Sequence, residues 1–194
     1  MIKQLLQVEA FMSRFQQKKS RQPVKYCPEA LAELSVKLAK EEVHEMEDAL
    51  GTPDDMGIVK VDVVEMLDAL CDQLYVTFGN AHRFGLSLIL PVAFRRVHES
   101  NMTKLWTDAE IRDRELLKRY GAALWIPVDN LPIERRWLVT NSIGKAVKSP
   151  SYQPANLVDL LAELEGQELI DFEHANKIVY GEEPDIDCEE YEKG

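Results

Sequence analysis

The sequence predicts an all-α fold: a four-helix-bundle-type core followed by an irregular C-terminal arm containing short strands. Three observations lead there. Residues 2–17, 28–50, 59–84 and 91–103 each carry apolar residues at helical spacing. Proline or glycine marks the breaks, at Pro28, Gly51, Pro53, Gly85 and Pro91. Beyond Trp106 the helical period gives way to two short runs of strand-forming residues and then to proline-punctuated chain.

In the first helix, Leu5, Leu6, Val8, Phe11, Met12 and Phe15 give a broad apolar face. The basic stretch QQKKSRQPVKYCP ends it. Pro28 suits the start of the second helix, with Glu29 favourable in its first turn. Gly51-Thr52-Pro53 stops that helix, and DDMG reads as a loop. The third helix spans 59–84. The fourth opens at Pro91. Thr107 and Glu110 have capping-box spacing for a helix over 107–119. ALWIPV and RWLVTNS read as strands on either side of PVDNLP, and a short helix closes at about residue 164. This gives a helical core over 1–106, an added segment over 107–142, and a last segment over 143–194 that ends in an acidic tail.

The chain has 194 residues, 45% hydrophobic and 29% charged, with 34 acids against 23 Lys and Arg and a net charge of −11. That balance argues against phosphate-backbone binding to nucleic acid and against an anionic membrane surface. Cys27, Cys71 and Cys188 form no CxxC and read as free thiols. No basic-plus-apolar leader is legible at the start, so a cytoplasmic location is expected. His44, His82, His98 and His174 show no metal-ligand spacing.

Two acidic clusters stand out. With Leu38 at zero and 100° per residue, Leu31 and Leu34 fall within about 40°, and Glu41, Glu42 and Glu45 within about 60°. The acids therefore continue an apolar line. On the next helix, Glu65, Asp68 and Asp72 are spaced i, i+3, i+7 beside an apolar face of Val64, Leu67, Cys71, Leu74, Tyr75 and Phe78. If the helices pack antiparallel, the clusters meet. Like charges about 4 Å apart repel by roughly 4 kcal/mol at an effective dielectric near 20. Lys and Arg do not stand at matching positions on these stripes, so the carboxylates take up protons or bind a hard divalent ion such as Mg²⁺ or Mn²⁺.

EEVHE followed by EMLD matches the pattern ExxE then ExxD a helix later. DALCDQLYVTFGNAHRFGL, FRRVHESNMTKLW and GKAVKSPSYQPANL extend the likeness. Together these segments resemble the all-α nucleoside triphosphate pyrophosphohydrolases, the MazG-like and phosphoribosyl-ATP pyrophosphohydrolase-like superfamily. The resemblance implies a helical bundle that forms a homodimer or a dimer of dimers. It implies Mg²⁺-dependent cleavage of a (deoxy)nucleoside triphosphate to monophosphate and pyrophosphate, with Mn²⁺ able to substitute. Glu42, Glu45, Glu65 and Asp68 would hold metal, with Glu41 taking a further metal or orienting the attacking water together with Glu42. Asp72 would stand behind the ligands. Lys104, Lys145 and Lys148 would meet phosphates, with Asn101 and Tyr152 as hydrogen-bond partners. Phe11 and Phe15 are candidates for stacking on the base, and Asn80 for reading a sugar or base.

Two features depart from the family pattern. Residues 107–142 are an insertion, and Phe11-Met12 stands where relatives often have Phe-His. The first reading is an enzyme of the nucleotide pool. The alternative substrate is phosphoribosyl-ATP. The rival from another class is a non-catalytic helical protein whose acids bind a structural cation or a basic partner.

Overall fold

The computed structural model describes residues 1–128 and 137–165. Their element order is α1 (Ile2–Arg14), α2 (Glu29–Asp48), β1 (Leu50–Pro53), β2 (Val59–Val61), α3 (Val63–Arg83), α4 (Leu90–Met102), α5 (Asp108–Arg112), α6 (Arg114–Arg119), β3 (Leu124–Pro127), β4 (Trp137–Thr140) and α7 (Leu157–Glu165). They form two compact units, one over Met1–Pro91 and one beginning at Val92.

In the first unit α1 and α2 each pack on α3. Leu5, Val8 and Met12 recur on one side of α1 and close over Phe78 and Ala81. Leu5 and Met12 are 0% and 1% exposed, so truncating either to Ala would cost about 2–5 kcal/mol. Contacts that rise along α1 fall along α3: Leu5 O lies 2.9 Å from His82 Nε2, and the rings of Phe11 and Tyr75 meet at 5.4 Å. The two helices are therefore antiparallel. Burial pushes the His82 imidazole below its ordinary value, with smaller and mixed effects from Leu5 O, Glu9 and Lys19.

The basic stretch between α1 and α2 is pinned to the end of α3. Ser20 N donates to His82 O at 2.9 Å and Val24 N to Phe84 O at 3.0 Å. Gly85 has φ +67, and a Cβ there would lie 1.9 Å from Gln22 O. Only glycine lets the strap pass that close.

Two expectations need correction here. The third helix begins at Val63 rather than at residue 59, and the supposed loop is a β-hairpin. Leu50 pairs with Val61 and Pro53 with Val59. The Asp54 carboxylate accepts from Met56 N and Ile58 N, and Gly57 has φ +76, which closes the turn. Asp62 then caps α3 by accepting from Val64 N and Glu65 N. Apolar Val59 and Val61 had looked like the first turn of the helix. The cap at Asp62 was the signal that placed the boundary.

The other correction concerns the core. Of the apolar face expected on α3, Phe78 is buried, but Val64 is 75% exposed, Leu67 63% and Leu74 56%. α1 is 13 residues long, and its buried residues reach α3 at Phe78 and Ala81, near the C-terminal end of that helix. Within Met1–Pro91 α1 and α2 pack on α3, while most of the expected fourth helix, α4, belongs to the second unit.

The second unit has its own core. Trp106 is 0% exposed, and Leu117 and Val139 join it. Trp125, Trp137, Ile111 and Val147 pack around them. Trp106 Nε1 donates to Val147 O at 3.0 Å, and Trp106 and Trp137 exchange backbone bonds. Residues from 106, the 107–142 segment and the segment after it thus share one apolar centre.

The capping box of Thr107 and Glu110 is present. The expected single helix over 107–119 is two, because Asp113 adopts extended backbone and its carboxylate caps α6 through Leu116 N. β3 and β4 pair antiparallel, Leu124 with Thr140 through Pro127 with Trp137. The last helix runs Leu157–Glu165, close to where the sequence put it.

Candidate active site

α2 and α3 are locked in register by two side-chain amides. Gln73 Nε2 donates to Glu42 O at 3.3 Å, and Asn80 Nδ2 to Ser35 O at 3.3 Å. Seven residues separate the donors and seven the acceptors, two helical turns on an antiparallel pair. That register sets Glu42 against Asp72.

Glu42 comes from the side of α2 that meets α3, as the apolar line through Leu38 predicted, and it is half-buried. One carboxylate oxygen each from Glu42, Glu45 and Asp72 lie within 4.8 Å of one another. Glu42 Oε2 is buried and has no hydrogen-bond partner among the described residues. Burial pushes the Glu42 carboxyl above its ordinary range, and the charges of Glu45, Asp72, Glu41 and Asp68 add to the rise. A cluster of three carboxylates, one of them half-buried, could hold a hard cation. Oxygen-only donors fit Mg²⁺ or Mn²⁺.

The expected ligands divide. Glu42 and Glu45 stand in the cluster. Asp68 lies close enough for its charge to reach Glu42. Glu65, two turns before Asp72, is exposed at the start of α3 and is outside the cluster. Asp72, expected behind the ligands, stands in the cluster with Glu42 and Glu45. Glu41 is exposed, with an oxygen 3.5 Å from Lys37 Nζ.

The remaining candidates fall into two neighbourhoods. In the first unit, Phe15 stacks on Phe11 with ring centres 4.3 Å apart. Asn80 is committed to the fold, since its oxygen also accepts from Arg83 Nη1 at 3.1 Å. In the second unit, the end of α4 is tied to the SPSYQP loop. Ser149 Oγ donates to Thr103 O, Gln153 N donates to Thr103 Oγ1, and Ser100 Oγ lies 3.0 Å from Tyr152 Oη. These bonds tie the segment that holds Asn101 and Lys104 to the loop that holds Lys148 and Tyr152. Lys148 Nζ sits 4.4 Å from the centre of the Tyr152 ring. Lys145 is exposed in the turn that the Asn141 side chain closes.

Sequence reasoning missed Gln73. Its place beside Asp72 was legible, but its half-burial against α2 is a product of the helix packing.

No curated protein matches the chain. The family model described as phosphoribosyl-ATP pyrophosphohydrolase matches residues 8–101. That span holds every acid of the site. Over 8–101 the chain is therefore similar to the phosphoribosyl-ATP pyrophosphohydrolase family, which belongs to the MazG-like, all-α NTP pyrophosphohydrolase superfamily.

Proposed function

We propose that the protein is a divalent-metal-dependent pyrophosphohydrolase that cleaves a nucleotide between its α- and β-phosphorus and releases pyrophosphate. The observation that carries this is the cluster of Glu42, Glu45 and Asp72 carboxylates, in which the buried Glu42 Oε2 has no hydrogen-bond partner among the described residues. Glu42, Glu45 and Asp72 would hold the cation, with Asp68 adding charge beside them. A bound Mg²⁺ or Mn²⁺ supplies neutralisation of phosphate oxygens and a lowered pKa for the attacking water. Glu41, exposed at the rim of the cluster, orients that water and takes its proton. Within the second unit, Lys104, Lys145 and Lys148 are the candidates for meeting phosphate, and Asn101 and Tyr152 for hydrogen bonds. No covalent intermediate is required, because phosphoryl chemistry of this kind rests on positioning and charge.

The substrate is a nucleotide that carries a triphosphate. The sequence reading placed a free (d)NTP first. The description of the matched family favours phosphoribosyl-ATP, which presents the same triphosphate to the same acids. A homodimer or dimer of dimers fits the apolar side chains left open on α2 and α3, among them Leu34, Val43, Leu67 and Leu74.

The test is pyrophosphate release from eight ribo- and deoxyribonucleoside triphosphates and from phosphoribosyl-ATP, with Mg²⁺, with Mn²⁺ and with EDTA. Metal-dependent release that Glu42→Gln abolishes supports the proposal and names the substrate. Metal binding without release from any of them overturns it in favour of a structural cation site.

A further inference from the structure

We propose that Tyr75 is the base-contacting residue of this site, forming with Phe15 an aromatic platform beside the acids. This rests on the nucleotide reading above. Three rings meet where α1 passes over α3. Phe11 is half-buried and forms the foundation. Phe15 leans on it at 4.3 Å with the planes 32° apart, and Tyr75 meets it edge-on at 5.4 Å and 85°. The outer rings remain open, Phe15 at 65% exposure and Tyr75 at 39%.

Position gives the platform its meaning. Tyr75 follows Asp72 by three residues, so the two side chains are neighbours on α3. Going along α3, the metal-binding carboxylate comes first and the open ring just under one turn later, about 4.5 Å on. A nucleotide has the same order: a charged phosphate end, a sugar, and a flat apolar base. Open aromatic faces bind any base by stacking, which makes Phe15 and Tyr75 suited to it. Tyr75 adds a hydroxyl that has no hydrogen-bond partner among the described residues. Burial pushes that phenol above its ordinary value, so it stays a neutral donor near pH 7. Ring and hydroxyl therefore have separable jobs, holding the base and choosing among bases.

The experiment uses the full chain with Tyr75→Leu, Tyr75→Phe and Phe15→Ala. Leucine keeps an apolar contact for Phe11 and so protects the packing of α1, while removing the flat ring. For the substrate found in the panel, Tyr75→Leu and Phe15→Ala should each raise KM on the order of tenfold, as loss of base stacking does, with kcat within about twofold. Tyr75→Phe should keep KM and change the ranking of bases by kcat/KM. An unchanged KM in Tyr75→Leu overturns the proposal.

A second measurement needs no turnover and no metal: titration of the Tyr75 ring resonances with AMP, GMP, dCMP and dTMP. Shifts on at least one support base contact, and none on any overturns it. If the wild type releases no pyrophosphate yet these resonances shift, the hydrolase reading fails while the base contact stands.

Discussion

Gln73 on α3 donates its amide to the main-chain oxygen of Glu42 on α2, 3.3 Å away, and so holds the helix pair in the register that sets Glu42 beside Asp72. The bond is ordinary in strength. Its consequence is positional, because a cation site needs its carboxylates a few ångströms apart.

Replacing Gln73 with leucine should therefore separate stability from metal binding. The lost amide bond costs about 0.5–1.5 kcal/mol, partly offset by apolar burial. Metal affinity should fall as well, roughly tenfold, in line with supporting residues around metal ligands. Calorimetric titration with Mn²⁺ beside a thermal melt checks this. Unchanged affinity with a lowered Tm would reduce Gln73 to a packing residue.

Glu42→Gln should stabilise the metal-free protein at neutral pH while removing its response to Mn²⁺. Partly screened like-charge pairs of this kind contribute on the order of 1 kcal/mol each. The pH dependence has a definite sign. Glu42 has a folded-state pKa above its unfolded one, so the folded protein binds the proton more tightly. Its contribution is fully present below the ordinary glutamate value and is lost as pH rises through the raised one. Metal-free melts across that window should fall with pH in the wild type and lie flatter in Glu42→Gln. Added Mn²⁺ should restore the wild type alone.

Glu110 should behave in the opposite sense. Its burial alone would raise the carboxyl, but bonds from Ser151 Oγ, Thr107 N, Thr107 Oγ1 and Ser151 N act the other way and hold it below its ordinary range. Ser151 Oγ and Thr107 N lie 2.5 Å and 2.7 Å from its two oxygens. Stability from this group is present above the unfolded glutamate value and is lost as pH falls through the depressed folded one. Glu110→Gln should cost about 1–3 kcal/mol at pH 7, and the gap to wild type should close under acid. Denaturant melts at pH 7 and pH 3 following tryptophan emission report on it, since all the tryptophans lie in the second unit or the adjoining chain.

The open apolar side chains of α3 make a prediction about assembly. Leu67→Glu with Leu74→Glu should halve the mass measured by light scattering, or lower it further for a dimer of dimers. A wild type that is already monomeric at micromolar concentration would overturn the homo-oligomer.

The sequence by itself determined the helices, because apolar spacing and chain punctuation are local. It also carried the side of α2 on which Glu42 lies, since a single helix fixes its own angular order. The Thr107–Glu110 box and both strands of the second unit were legible for the same reason. The hairpin at Leu50–Val61 was not, because valine at alternate positions suits a helix start as well as a strand.

Only tertiary structure decided which acids stand together. Glu65, Asp68 and Asp72 share one stripe and look equivalent along α3. The amide bonds from Gln73 and Asn80 choose the register, and that choice brings Asp72 rather than Glu65 to Glu42. Tertiary packing also decided where the apolar surface goes. α3 presents one continuous apolar stripe, and the short α1 buries it only toward its C-terminal end. Pairing between elements depends on distances that no local pattern encodes, which is why the helices could be read from the chain and their register could not.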